Sequence, residues 1–555
     1  MDLQQKLTRT FLITFALLMG VGAHYFQHNQ GGSGLELAQN NVVWIFFSIL
    51  IGLGLWKISE QQKILYSRFT LIFLAAFLLF LLPAFYPNNE LASQSYTRLL
   101  GLSAGLLLFI SLQQFQFKRS QIQRLLLLMV LAGFLQACYS LMQDYLLPAD
   151  NIFGYDVGFG RPYGIFQQPN VLASFMASSL ILAGFLLQQI NCKKLQRFLL
   201  LTALLNMWVI TITMSRTGYL GLLIALLLFI PWAWQSNKKK LALFMLAISL
   251  GSGFAMLKGD ALAARNTDAL KEVGARTVFY KNSWEMIKEK PLLGHGYGSF
   301  EKNYLITQAQ HVKNNEQLPY GNTLTHPHND TLFWAVEGGV VPILAILLLV
   351  IAFIGLLRPF KLSYALALMA LVIPITVHTQ TEYPLYHSAL HWLVLLVLVF
   401  YIANESETRQ ARVFRPTFAV RCFALLIPIF TIIFMVSNLY SIAKITEYER
   451  SKARDIRLLL NINNPLVFEN RTEFYINYYR LVAAIKNSNL EEIQSIARQT
   501  ENSIKKDPKP YFYHLLYAAL MYSGEAEKAR EILAYARYLY PLDPQLASAD
   551  KGKAQ

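Results

Sequence analysis

The chain has 555 residues, of which 54% are hydrophobic and only 15% charged. A soluble domain carries about 25% charged residues, so a water-soluble multidomain enzyme is excluded, and at roughly 20 apolar residues per bilayer crossing this composition supplies a dozen or more spans. The net charge of +16 raises nucleic acid as a partner, and the placement of the cations decides that question.

From the N-terminus, Met1 to Arg9 and the apolar run after them resemble a signal sequence. No small-residue cleavage site precedes the next span, so the segment reads as a retained first helix. Membrane-length apolar runs follow at about 10–26, 41–56, 69–86, 98–115, 125–147, 170–190, 198–214, 217–234, 241–257, 331–356, 362–378, 387–403 and 420–440, which predicts thirteen spans. Cys138, Cys192 and Cys422 sit in or beside these runs without a CxxC pair, so neither a thiol zinc site nor a disulfide framework is expected.

With thirteen spans, the cationic short loops all fall on one side. They hold Lys6 and Arg9, Lys57, Lys63 and Arg68, Lys118, Arg119 and Arg124, and Lys193, Lys194 and Arg197. Lys238 to Lys240, Arg358 and Lys361, and Arg409, Arg412, Arg415 and Arg421 complete the set. The short loops opposite hold only Arg161 and Arg216. Positive charge marks the cytoplasmic side, so the N-terminus is expected in the cytoplasm and the C-terminus across the membrane. The basic balance is a topology signal, and nucleic acid is not expected as a partner.

The expected domains are a first membrane bundle (1–257, about nine helices), a large outer loop (258–330), four further spans (331–440) and an outer tail (441–555). In the tail, NLEEIQSIARQTENSIKKDP (489–508) and GEAEKAREILAYARYLYPLDP (524–544) recur near a 35-residue spacing. Each is a helix with small residues at packing positions, ending at proline, which suggests a degenerate tetratricopeptide-like array. Such a tail either recognises a partner or caps the membrane body.

Polar strings gather where spans are expected to start on the outer face. RPYGIFQQPN (161–170), with Gln168 and Asn170, leads into one span, and TITMSRTG (211–218) turns into another. HPHND (326–330) and HTQTEYPLYHS (378–388) open two more. Helix N-termini present unpaired N–H groups that favour anions, and arginines among them suit a phosphate at the membrane surface. Arg216 follows Ser215, a potential N-cap, with almost no loop. A cation there either snorkels to the interface or binds a ligand, and Arg161 carries the same two readings.

In the large loop, GARTVFYKNSWEMIKEKPLLGHGYGSF (274–300) sets Arg276, Tyr280, Trp284 and Ile287 on one helical stripe closed by Pro291. The stripe reads as the buried face of an interfacial helix. Arg276 on it is oddly placed for a solvated charge but suits a phosphate clamp. GHGYG reads as a turn, since no strand precedes it. His326 and His328, joined by Asn329 and followed by Glu337 inside an apolar span, read as a catalytic group, with structural histidines as the alternative. HxH lacks a third ligand at fixed spacing, so no metal is expected. His378, Gln380, Glu382, Tyr383 and His387 lie close to the same face. Glu337 and Glu382 are functional by default at such depth unless they pair with arginine.

Taken in order, SRTG, R…W..MI…PL.G.G.GSF and HN…E.G resemble the O-antigen ligase and polymerase superfamily. RPYGIFQQPNVLA, HTQTEYPLYHSALHW and the helical tail resemble its bacterial protein O-oligosaccharyltransferase branch (the PglL type), and the likeness runs from about 155 to 400. The resemblance implies an all-α, GT-C-like inner-membrane enzyme without a cofactor. Its donor is a glycan on undecaprenyl pyrophosphate, and its acceptor a serine or threonine of a periplasmic or pilin-like protein. It further implies that Arg216 and Arg276 hold the pyrophosphate, that His328 is required for transfer and that His326 is its extra neighbour. The expected reaction is a metal-independent, inverting displacement. No DxD or WWD string occurs, which argues against nucleotide-sugar and asparagine-linked enzymes. An O-antigen ligase or polymerase uses the same site, and a thirteen-span transporter is the non-enzymatic alternative.

Overall fold

A computed structural model describes residues 3–87, 89–257, 266–314, 324–452 and 454–549, with side chains absent from the description at 266–274. The described chain is almost wholly helical. Twelve of its helices are long and apolar enough to cross a membrane, and a thirteenth, Leu362–His378, falls just short. Seventeen residues at 1.5 Å each span about 26 Å, against roughly 30 Å of hydrocarbon. Its place in the chain matches one of the thirteen predicted runs. The protein is therefore a multi-pass, all-α membrane protein.

The first compact unit draws on Met1–Phe80, Thr97–Thr267 and Leu344–Leu439. Its centre is helix Pro169–Gln189, where nearly every residue is buried. The sequence explains this: the helix is apolar on all sides and rich in alanine, serine and glycine. Small residues let neighbouring backbones approach in a bilayer, where no hydrophobic drive holds helices together. Helices Arg119–Tyr145, Lys193–Thr213, Arg216–Ser236 and Leu362–His378 surround it. The last two pack most closely, because a side chain at Gly221 would come 3.2 Å from the Pro374 backbone.

One element departs from the all-helical expectation. Lys63–Tyr66 and Gln410–Val413 pair as a short antiparallel ribbon in the register Lys63↔Val413. Gln114 completes it, accepting from Leu65 N–H at 2.9 Å and donating to Leu65 C=O at 2.8 Å. Both strands lie in cationic inter-span loops, which hid them from a hydropathy reading.

The second unit draws on Leu81–Tyr96, Asp268–Ile343 and Tyr440–Gln555. Parts of the predicted loop, 258–265 and 315–323, lie outside the described residues, as does the end of the tail at 550–555. Two helical hairpins form the tail: Glu469–Lys486 with Leu490–Lys506, and Pro510–Tyr522 with Ala526–Leu539. The two predicted repeats are thus the second helices of successive hairpins. Their turns correspond: Ser488 (φ 54°) and Gly524 (φ 87°) hold the same left-handed position in each. Leu481, Ile493, Ile496, Leu516, Ala519 and Leu520 form the core between them. Loop helix Phe300–Lys313 adds a further layer, burying Leu305 and Ala309 against Leu533, Ala536 and Tyr540.

A left-handed residue with a side chain costs about 1–2 kcal/mol, and a Cβ at Gly524 would meet no atom within 4 Å. Strain alone therefore sets the effect of Gly524→Ala. Hydrogen exchange on the full-length protein in detergent should show Pro510–Tyr522 and Ala526–Leu539 opening roughly 5- to 30-fold more often, while Ser488→Gly slows exchange in the first hairpin. Unchanged exchange in both variants would show that the turns carry no such strain.

Candidate active site

The RPYGIFQQPN string enters its helix through a left-handed residue. Gln167 has φ 57°, Gln168 is the N-cap, and its side chain accepts from the N–H groups of Asn170 and Val171. Pro169 occupies the first turn, where its missing N–H costs nothing. The string is held from behind by two glutamines of helix Arg119–Tyr145. Gln143 Oε1 accepts from Gly164 N–H at 2.8 Å and from Tyr163 N–H at 3.3 Å, and Gln136 Oε1 accepts from Ile165 N–H at 3.2 Å. These residues were missed in the sequence, although Gln136, Ser140 and Gln143 form an i, i+4, i+7 polar stripe in an apolar span.

Asn170 connects three polar strings. Its Oδ1 accepts from Ser215 Oγ at 2.7 Å and its Nδ2 donates to Glu382 Oε1 at 3.3 Å. Ser215 is the N-cap that the sequence suggests, accepting from Gly218 N–H at 3.1 Å. The preceding Met214 is left-handed (φ 50°), so two residues suffice to reverse the chain between helices. Arg216 opens the next helix and is exposed, whereas Arg161 is buried. Arg161 Nε donates to Thr213 C=O at 2.6 Å, the last residue of helix Lys193–Thr213. A cation on a helix C-terminus is favourable, so Arg161 acts at least as a cap, and the two lone arginines part company.

HTQTEYPLYHS closes helix Leu362–His378 and leads into Ala389–Ser406. Glu382 is buried, Gln380 is exposed, and Glu382 N–H returns to His378 C=O at 2.9 Å. Burial and the charges of Glu382 and Glu36 push the Tyr383 hydroxyl up to about 12. His378 Nδ1 and His391 Nε2 lie 2.7 Å and 3.1 Å from Ser174 Oγ. His387 donates from Nε2 to Phe166 C=O at 2.8 Å, and burial holds its pKa below the usual imidazole value. Ser174 and His391 were not singled out by sequence, since a serine and a histidine inside apolar helices carry no motif.

The second unit holds the remaining candidates. Helix Asn266–Glu289 includes the predicted amphipathic segment, and the side it buries within the protein is a different one from the stripe expected at the bilayer interface. Ala275, Asn282, Ser283 and Met286 are buried, Arg276 and Tyr280 are half-buried, and Trp284 is exposed. On that inner side Met286 packs with Phe300, Tyr304 and Val336. Tyr280 Oη donates to His328 C=O at 3.1 Å, and the Phe279 ring stacks on the His328 imidazole at 5.6 Å and 20°.

HPHND opens a short helix, Asp330–Gly338, with Asn329 as N-cap accepting from Leu332 N–H at 2.9 Å. His328 is left-handed at φ 55°. His326 is buried, its Nε2 3.1 Å from Asp330 Oδ1 and its Nδ1 2.9 Å from His328 N–H.

The sequence places Glu337 inside a span, and the structure corrects this. The helix stops at Gly338, Gly339 turns at φ 67°, and the span begins at Val340. A Cβ at Gly339 would lie 2.2 Å from Leu292 C=O, so the PLLGHGYGSF loop packs directly on the break. Glu337 Oε1 accepts from Phe300 N–H at 3.2 Å, where a carboxylate meets the N-terminus of helix Phe300–Lys313. GHGYG is the expected turn, with Gly294, Gly296 and Gly298 all at positive φ.

Among the described residues, no group of three His, Cys, Asp or Glu side chains is arranged to hold a metal ion. Residues 162–187 match the family model described as protein glycosylation ligase, and 199–347 match O-antigen ligase. Residues 366–555 match virulence factor membrane-bound polymerase, C-terminal. The chain is also similar to a general O-oligosaccharyltransferase of Acinetobacter baylyi, 22% identical over 417 residues, covering 71% of this chain and 69% of the relative.

Gln143 tests whether the first string is held as described. Gln143→Leu leaves two backbone N–H groups without their acceptor, at about 1–3 kcal/mol each, and should lower the detergent melting temperature by several degrees. An unchanged melting curve would show that water or another group replaces the glutamine.

Proposed function

We propose that this chain, a PglL-type member of the O-antigen ligase superfamily, transfers an oligosaccharide en bloc from undecaprenyl pyrophosphate to serine or threonine hydroxyls of periplasmic or pilin-like proteins. It works in the bacterial inner membrane, with its N-terminus cytoplasmic and its tail periplasmic. The observation that carries the reading is a coincidence of position. The glycosylation-ligase match at 162–187 covers the helix start where Asn170 hydrogen-bonds Ser215, the residue before Arg216, and Glu382.

The acceptor oxygen attacks the anomeric carbon and forms the new glycosidic bond. The bond from that carbon to the pyrophosphate oxygen breaks, and its electron pair leaves with the lipid pyrophosphate. The acceptor proton passes to a ring nitrogen of His328, which acts as general base. Arg216 and Arg276 offset the charge growing on the leaving group. A single displacement inverts the anomeric centre, and arginine charge rather than a metal stabilises it.

A second reading is an O-antigen ligase acting on lipid A core, or a polymerase extending the glycan. The matches at 199–347 and 366–555 favour it. The glycosylation-ligase match and the named relative favour a protein acceptor.

Reconstitution separates these readings: purified protein, undecaprenyl-pyrophosphate glycan and a pilin-type acceptor with EDTA, followed by mass spectrometry. Glycan should appear on a serine or threonine, and His328→Ala should cut the rate by about 10²–10⁴-fold. Extension of lipid A core or of the glycan instead would favour the second reading, and transfer of no sugar would reopen the transporter. Arg276→Lys should lose roughly tenfold or more, because a point charge cannot replace the planar fork. Near-normal turnover in that variant would remove the clamp.

A further inference from the structure

We propose that His326 and Asp330 are positioning residues that set the backbone of His328, and that His326 is not a second base. The proposal rests on the reading of His328 as the proton acceptor. It follows from counting hydrogens around one imidazole. Asp330 opens a helix, where the dipole favours its charged form, and a carboxylate only accepts hydrogen bonds. At 3.1 Å from Asp330 Oδ1, His326 Nε2 must carry a proton. The His328 backbone N–H can only donate, and it points at His326 Nδ1 from 2.9 Å, so that nitrogen must be bare. Both contacts demand the same neutral tautomer. The ring's one in-plane lone pair is then used on the backbone, leaving none to take a proton from an acceptor hydroxyl.

That lone pair has a task where it is. His328 stands at φ 55°, a left-handed conformation disfavoured for a residue with a side chain. Its N–H is held by His326 and its C=O by the Tyr280 hydroxyl at 3.1 Å, so both flanking peptide groups are anchored. Phe279 lies parallel to the ring at 5.6 Å. Pro327 stiffens the residue between the two histidines, and Phe333 packs on His326 at 4.5 Å. The arrangement is an Asx-turn built with histidine, because Nδ1 sits one bond from Cγ, as an asparagine Oδ1 does. Such a side chain accepts from the backbone two residues on.

The substitution that discriminates is therefore His326→Asn, which keeps the acceptor and removes the titratable ring. The full-length protein in detergent, assayed with the lipid-linked donor and protein acceptor, should keep kcat within about threefold in His326→Asn. His326→Ala should lose roughly 10- to 100-fold in kcat with donor KM little changed, as expected when a reacting group is misplaced by about an ångström. Asp330→Ala should lose about tenfold alone but nothing further in the His326→Asn background, where no tautomer remains to be set. A purely structural loss at Asp330 would be the same in both backgrounds and would overturn its assignment. If His326→Asn is as inactive as His326→Ala while melting like the parent, His326 itself carries the proton and the proposal fails. Near-normal transfer by His328→Ala would instead overturn the reading of His328 as base, an outcome distinct from either. Should His326→Ala fail to fold, the comparison of Asp330→Ala in the two backgrounds still decides.

Discussion

A peptide group inside a bilayer has no water to turn to, and each unsatisfied N–H or C=O there costs several kcal/mol. The thirteen apolar helices meet that constraint internally, which leaves polar chemistry to the helix ends, where four backbone groups per terminus lack partners. The candidate residues of the first unit lie at or beside such ends: Gln168 and Ser215 cap helices, Arg161 meets a terminal carbonyl, and Glu382 follows a helix that ends at His378. Sharp reversals are needed to bring ends together, and Gln167 and Met214 supply them in the left-handed region. Strain of this kind persists only where the surroundings over-determine it. Here they do, through the glutamines of Arg119–Tyr145 and the Ser215–Asn170–Glu382 hydrogen bonds.

The same principle separates residues that look alike in the sequence. Arg161 and Arg216 are both isolated cations in short loops on one expected side, yet Arg161 is buried on a backbone carbonyl and Arg216 is exposed. Glu337 and Glu382 are both acids at the margins of apolar runs. One braces the N-terminus of helix Phe300–Lys313, and the other accepts from an asparagine beside two helix caps. Residue type and depth identify all four as costly to bury. Only the partner tells which is structural support and which faces outward from it.

Hydropathy made the spans legible, since twenty apolar residues have few other uses, and cap chemistry marked Ser215. What stayed hidden was set by contacts distant in sequence. Glu337 read as intramembrane because the apolar residues on both sides of Glu337, Gly338 and Gly339 merge into one run by hydropathy, while the turn at Gly339 is a backbone feature. The protein-facing side of helix Asn266–Glu289 was not legible either, because Met286 packs on Phe300 and Tyr304, which lie farther along the chain. The ribbon of Lys63–Tyr66 with Gln410–Val413 joins segments over three hundred residues apart, which no local pattern announces. The His326 contacts lay deeper still: HPHND names Asp330, but nothing in it announces that the His328 backbone N–H turns back onto the His326 ring.

The tail gives the longest chain of consequences. Two hairpins are fewer than repeat arrays usually need for stability, and helix Phe300–Lys313 supplies a further layer through Leu305 and Ala309. Lys509 pairs with Glu301 across that contact, and burial holds the Glu301 carboxyl above its ordinary pKa even beside the lysine. The N-terminus of this helix receives Glu337, which ends the short helix that HPHND begins. A path of direct contacts therefore runs from the tail through one loop helix to the helix that carries His328 at its entrance. Removing the tail would expose Leu305 and Ala309 and leave Glu301 without its lysine. Loss of activity on truncation thus has a physical cause within this unit that owes nothing to acceptor recognition. To separate the two, a substitution on the tail must leave the Phe300–Lys313 contact and the Glu301–Lys509 pair intact.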